Sequence, residues 1–198
     1  MVKVPPDSTA APVPLSIALL AKRSIGGAAV VALVALFFIL ALPAIENSVE
    51  ADHIRAGMPL VVGENLQVTP ELSWALDPAA DGDLTILTHS GGQLVITPAV
   101  QANPSIVGQI ETIARGLADD PDNSWVVAEP TMFTTTAGDA GATVAAQSKS
   151  VSTQVWIVTN DEVQTTLVLT SPLAVWDGIA QSADEIADSV KFTDPQVQ

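Results

Sequence analysis

The sequence predicts an α+β fold on a single N-terminal transmembrane helix: an antiparallel sheet with one helix packed on each face. Three observations carry that prediction. Residues Ile25 to Ile45, reading IGGAAVVALVALFFILALPAI, contain no charged side chain. From Leu60 onward the apolar residues fall into short runs of period two separated by turn residues, the pattern of paired strands. Two later segments, after Asn103 and after Ser171, change to spacings of three and four, the period of a helix with one buried face.

The apolar run has 21 positions. At about 1.5 Å per residue it makes a helix of roughly 31 Å, enough to cross a hydrocarbon core of about 30 Å. Lys22 and Arg23 precede it, and Glu46, Glu50 and Asp52 follow it. Basic flanks stay on the cytoplasmic side, so the N-terminus is expected inside and the rest of the chain outside the cell membrane. A cleaved secretory signal shares the same basic-then-apolar order. The run is longer than the roughly 7 to 15 residues of a signal core, however, and only Val49-Glu50-Ala51 resembles a cleavage site.

The expected organisation is a disordered cytoplasmic tail over 1–23, rich in proline (Pro5, Pro6, Pro12, Pro14), and a transmembrane helix over 24–45. A polar connector over 46–59 follows, then an extracytoplasmic domain over 60–192 and a short tail over 193–198. Within the anchor, Ser24, Ala28, Ala32 and Ala35 recur at spacings of four, four and three and so share a face of little bulk. Small residues let a second membrane helix approach closely, which makes these four the expected packing face toward another integral protein.

The domain reads in order as follows. Leu60 to Val68 is strand-like, interrupted by Gly63 and Asn65, and Trp74-Ala75-Leu76 begins a second short strand. Leu84 to Thr88 and Gln93 to Thr97 form a hairpin around Ser90-Gly91-Gly92, whose glycines can take positive φ. Asn103 is the expected N-cap and Pro104 the first residue of a helix. Its buried stripe is Ile106, Ile110, Ile113 and Leu117, and Asp119-Asp120-Pro121 ends it.

Four strand-like runs follow: Trp125 to Ala128 continuing through Met132 and Phe133, Ala142 to Ser148, Thr153 to Val158, and Val163 to Thr170. Their short connectors imply antiparallel neighbours. Val155, Ile157, Leu167 and Leu169 are expected on one face, Trp156 and Val168 on the other. Apolar residues on both faces imply a sheet covered on both sides. Ser171-Pro172 repeats the cap-then-proline start for a closing helix with Val175, Ile179, Ala183, Ile186 and Val190 on its inner face and Asp177, Asp184, Glu185 and Asp188 opposite.

Charge excludes one class of partner. Of the chain's 198 residues, four basic and twenty-one acidic ones follow position 24, a balance of −17. Phosphate backbones and anionic headgroups repel such a domain, so nucleic acid is not an expected partner. There is no cysteine, hence no disulfide, thiol nucleophile, thiolate metal site or lipid-attachment residue.

No catalytic constellation emerges. His53 lies in the connector and His89 beside Ser90 at a hairpin tip, with nothing marking the acid or oxyanion hole of a serine hydrolase. Asp77, Asp81 and Asp83 form one acidic loop and Asp119, Asp120, Asp122 and Asn123 another. Neither fits a calcium loop, since the twelfth position from Asp77 is Thr88 where a bidentate Glu belongs. Helix termination and solubility account for both loops. Trp74, Trp125, Trp156 and Trp176 are the large aromatic side chains, and Trp156 and Trp176, in strand and helix contexts, read as core residues. No cofactor or metal is expected, and the chain is not expected to be an enzyme.

The early Trp74 after a short strand, the helix after the first hairpins, the meander and the closing helix ending in Val190-Lys191-Phe192 resemble the Mog1/PsbP-like fold over residues 60 to 192. That family includes the LpqN-type envelope proteins of mycobacteria. The resemblance implies a non-enzymatic binding or assembly role and offers no catalytic residues to transfer. This chain departs from the lipoprotein members in lacking their cysteine.

In anchor, size and acidic outer domain the chain is also similar to the single-pass accessory subunits of the actinobacterial respiratory supercomplex, in which a cytochrome bc complex and a cytochrome c oxidase are joined. The function expected from these readings is a non-catalytic accessory or assembly subunit in contact with an integral membrane protein complex and membrane lipid. The alternative is an envelope module that binds a lipid or another ligand between sheet and helix.

Overall fold

A computed structural model of the chain describes residues 52–53, 58–71, 73–77, 84–120 and 124–193. The apolar run, with Ser24, Ala28, Ala32 and Ala35, lies outside the described residues, as do Asp81, Asp83, Asp122 and Asn123. Among the described residues no helix is long and apolar enough to cross a membrane.

A ten-stranded antiparallel sheet forms the body of the domain. Its strands are β1 (Asp52–His53), β4 (Ala75–Leu76), β5 (Thr85–His89), β6 (Gly92–Ile96), β7 (Val100–Gln101), β8 (Val126–Val127), β9 (Thr131–Thr134), β10 (Ala140–Gln147), β11 (Val151–Thr159) and β12 (Val163–Pro172). The spatial order is β1-β4-β5-β6-β12-β11-β10-β8, with β7 also on β12 and β9 also on β10. A separate three-stranded sheet joins β2 (Leu60–Val62), β3 (Leu66–Val68) and β13 (Lys191–Phe192) in the order β13-β3-β2. β1 falls inside the stretch expected as a connector, and its partner is β4, with Asp52 opposite Leu76 and His53 opposite Ala75.

Helix α1 (Ile106–Ala118) covers one face and α2 (Trp176–Asp188) the other, the sandwich expected for a sheet that is apolar on both sides. Under α1 lie Ile110, Ile113, Leu117, Trp125, Val144, Val155, Ile157 and Val168. Under α2 and the small sheet lie Val62, Leu66, Trp74, Leu94, Ile96, Trp156, Leu167, Leu169, Ile179 and Ile186. Each fully buried large side chain contributes about 1.5–3 kcal/mol relative to exposure, so the two layers together outweigh any surface interaction.

Three expectations need correction. Ser105, not Asn103, caps α1: its Oγ accepts the Gly108 N–H at 3.0 Å. Asn103 instead accepts from Ser105 N and donates its own N–H to Gln164, so the helix begins two residues later than Pro104.

Ser171 and Pro172 finish β12, and a short 3-10 turn, Leu173–Val175, leads into α2, which has no side-chain cap. Ser171 faces Ser152 across the β11–β12 ladder; extending that ladder satisfies its backbone better than starting a helix there.

The facing of β11 and β12 also differs. Trp156 pairs with Leu167 and Val155 with Val168, so Trp156, Leu167 and Leu169 share the α2 side while Val155, Ile157 and Val168 share the α1 side. The cause is the turn: Thr159 pairs with Gln164, an even residue opposite an odd one, and every pair up the ladder keeps that parity.

Candidate functional site

At the tip of the β5–β6 hairpin the chain turns through Ser90 (φ 47) and Gly91 (φ 83). Positive φ at both central positions is what a two-residue hairpin turn of matching twist requires. Gly92 then returns to the strand, where a Cβ would come within 2.9 Å of Ile179 Cδ1. The missing side chain is what lets the first turns of α2 lie close against the hairpin. Between hairpin tip and helix start is an open, shallow groove of about 330 Å³, lined among others by His89, Ser90, Leu173, Val175, Asp177 and Gly178.

His89 is fixed from three directions. Its Nδ1 lies 2.7 Å from the Ser73 carbonyl; a carbonyl only accepts, so Nδ1 carries the proton. Nε2 is then the acceptor and faces the Ser90 hydroxyl at 3.4 Å. The ring packs on Trp74 with centroids 5.5 Å apart. Trp74, fully buried, donates its indole N–H to Ser182 Oγ on α2 at 2.8 Å, and that hydroxyl faces Glu71 at 3.4 Å. The chain Glu71–Ser182–Trp74–His89–Ser90 therefore links α2 to the hairpin tip through the core. Both ring nitrogens are engaged in holding this geometry, and the long Ser90 contact on an open turn is that of a structural histidine.

Asp184 on α2 also has specific partners. Expected on the solvent face of α2, it accepts hydrogen bonds from Trp156 Nε1 at 2.9 Å and Gln154 Nε2 at 3.0 Å. Partial burial pushes its carboxyl above the ordinary value of 3.8, and the two donors pull it back down. Sequence spacing placed Asp184 on the outer face; the signal it lacked was that a buried Trp indole needs an acceptor nearby.

The other sequence-marked residues are scattered. Asp120, just past the end of α1, accepts from the Trp125 indole at 3.1 Å. Asp77 bonds through its backbone to Ile86. His53 belongs to β1, two strands from His89. Among the described residues no group of three His, Asp or Glu side chains is placed to hold a metal ion. Trp74 and Trp156 are fully buried, Trp125 nearly so, and Trp176 packs partly buried against the α2-side core.

The largest exposed apolar side chains include Val126 (75 %) and Met132 (54 %), on the edge strands β8 and β9. Glu129 and Pro130 sit between those strands, a charge and a proline that break up an edge against pairing with another chain.

No family model matches this chain, and no curated protein matches it. Among solved structures it is similar to cyanobacterial PsbP (CyanoP) from Synechocystis, at 10% identity and a TM-score of 0.51, covering 75% of this chain and 99% of that one. It also matches LpqN, involved in cell envelope biogenesis of Mycobacterium tuberculosis, at 11% identity and 0.49, covering 78% and 97%. A mutant of the protein Mog1 matches at 9% and 0.49, covering 74% and 97%. The likeness to PsbP gives the fold, an antiparallel sheet with two helices of the PsbP-like kind, and at such identities speaks only for the fold.

Proposed function

We propose that this protein is a non-catalytic, membrane-anchored accessory or assembly subunit of a larger membrane protein complex. Its N-terminus lies in the cytoplasm and its acidic domain outside. The observation that carries this reading is the apolar packing on both faces of the sheet among the described residues. Ile110, Ile157 and Leu167 are buried in continuous packing on the two sides of the sheet, and Ile106 packs beside them. A lipid or other apolar ligand held between sheet and helix needs a roomy cavity, and among the described residues these side chains are packed against one another there. What is left to the domain is its surface, and what is left to the apolar run is to hold that surface at a membrane.

The complex that the size, the anchor and the acidic domain favour is the actinobacterial respiratory supercomplex. The small-residue face Ser24, Ala28, Ala32 and Ala35 is the part of the anchor that would pack against an integral subunit. The test is purification of the tagged full-length protein from native membranes in mild detergent, with identification of what accompanies it. Stoichiometric recovery of integral membrane proteins is the expected outcome. Recovery of the protein alone, at monomer mass, overturns the proposal.

A further inference from the structure

We infer that the α2-side face of β8, β9 and β10 is a docking surface for a protein segment that presents an arginine beside apolar side chains. The inference names a face through which the accessory reading above would work, yet it stands on the described domain alone.

α2 lies over β6, β12 and β11, and the sheet runs on past it. Residues directly opposite on neighbouring strands share a face. The register therefore carries the α2 side from Trp156 to Thr143 and Thr131, from Gln154 to Ala145, and from Ser152 to Gln147 and Val126. Val126 is 75 % exposed there, Thr131 and Gln147 are exposed, and Thr143 and Ala145 are partly so. The result is a floor of small side chains with one protruding valine, about 10 Å across from β8 to β11 at two strand spacings.

The side of α2 that borders this floor is anionic. Asp184 accepts from Trp156 and Gln154 of β11 on Oδ1, and Asp188 accepts from Thr136 in the β9–β10 turn on Oδ2. Both carboxylates are thus held in place, and each keeps one oxygen without a partner among the described residues. Arg115, Lys149 and Lys191 are the described cations, and none pairs with either. Partial burial raises the Asp184 carboxyl above its ordinary value, as expected of a charge that has lost water and gained no cation.

An independent observation marks the floor itself. Ser152, 1 % exposed, projects on the same side two residues along β11 from Gln154, and its Oγ has no hydrogen-bond partner among the described residues. Such buried polar atoms are rare in a folded chain. A guanidinium is planar, carries five N–H donors and bonds a carboxylate while other N–H groups stay free, so it suits an unpaired carboxylate beside an unpartnered oxygen. An anionic headgroup would be repelled by Asp184 and Asp188. A free polyamine would leave Val126 uncovered, whereas a protein segment brings apolar side chains beside its cation.

The test follows the tryptophan indole signals of the isotope-labelled full chain in uncharged detergent. It is titrated with acetyl-Leu-Ser-Arg-Ser-Leu-amide, and with the same peptide carrying citrulline, which keeps the shape and loses the charge. The arginine peptide should move the Trp156 signal, whose N–H is bonded to Asp184, and leave that of Trp74 in place. The citrulline peptide should bind about tenfold more weakly or worse. Asp184→Asn keeps an acceptor for both donors and should weaken the arginine peptide by about tenfold, whereas Asp177→Asn, beside the His89 groove, should leave its affinity unchanged.

A Trp156 signal that stays still at millimolar peptide, or moves alike with citrulline, overturns the inference. Equal losses at Asp184 and Asp177 mean that net charge alone attracts the peptide, which overturns the face. Spermidine binding as tightly as the arginine peptide overturns the protein occupant. None of these outcomes involves the anchor: recovery of the protein alone from membranes overturns the accessory reading and leaves the titration to decide this face.

Discussion

Replacing Trp74 with Phe tests the link that ties α2 to the hairpin tip. The indole N–H to Ser182 is lost, a net cost of about 1 kcal/mol for a buried hydrogen bond. It is not larger because the Ser182 hydroxyl keeps Glu71 as a partner. The smaller ring leaves part of a fully buried site empty, adding about 1–2 kcal/mol. The sum is about 2–3 kcal/mol. For a domain of this size that lowers Tm by about 6–9 °C.

The assay is thermal unfolding of the full chain in mild detergent, followed by near-UV circular dichroism, for Trp74→Phe, Ser182→Ala and the double variant. Removing both partners of one bond costs less than the sum of removing each, so a coupling near 1 kcal/mol is expected. Losses that add to within about 0.3 kcal/mol would show that the bond contributes nothing, and the described link would be wrong.

Three further outcomes follow from named contacts and a fourth from the proposed anchor. Ser105→Ala should cost about 1 kcal/mol of stability, and Asn103→Ala clearly less; the reverse order in the same unfolding experiment would return the cap to Asn103. Gly92→Ala should cost about 1–2 kcal/mol by crowding Ile179, and adding Ile179→Val, which removes Cδ1, should recover part of it. Because the folded carboxyl of Asp184 titrates above its unfolded value of 3.8, the folded state binds that proton more tightly. Stability therefore gains as pH falls through the raised value toward 3.8, and Asp184→Asn, measured by denaturation across that window, should lack the gain. Ala28→Ile with Ala32→Ile should leave membrane insertion intact yet reduce co-purification of the integral partner, whereas unchanged recovery removes those residues from any packing face.

The helices and hairpins were legible because their signals are local. The stripe Ile110, Ile113 and Leu117 is buried as its spacing requires, and Ser90-Gly91 makes the turn its residues favour. What the sequence obscured depends on contacts made far along the chain. Asn103 and Ser105 are both good caps, and Gln164, sixty-one residues away, decides between them by taking the Asn103 N–H. Ser171-Pro172 has the composition of a helix start, yet its pairing with Ser152 and Val151 keeps it in β12. The strand at Asp52–His53 is too short to show any periodicity and exists only because β4 offers an unpaired edge.

The candidate site divides in the same way. His89 and Ser90 stand out in the sequence as neighbours at a hairpin tip. The Ser73 carbonyl, the Trp74 ring and the start of α2, which settle what the histidine does, come from separate parts of the chain. Asp184 is exposed on α2, as helical spacing requires, but spacing records which way a residue points and not which neighbouring strand supplies a donor.

Where the acidic domain stands relative to the lipid decides the proposed function. Single cysteines placed in the otherwise cysteine-free chain, at Ser8 before the apolar run and at Ser73 after it, can be probed in intact cells with a membrane-impermeant maleimide. Labelling at Ser73 in cell-bound protein, and at Ser8 only after permeabilisation, is the predicted result. The opposite pattern, or a released product whose N-terminus is Asp52, contradicts it.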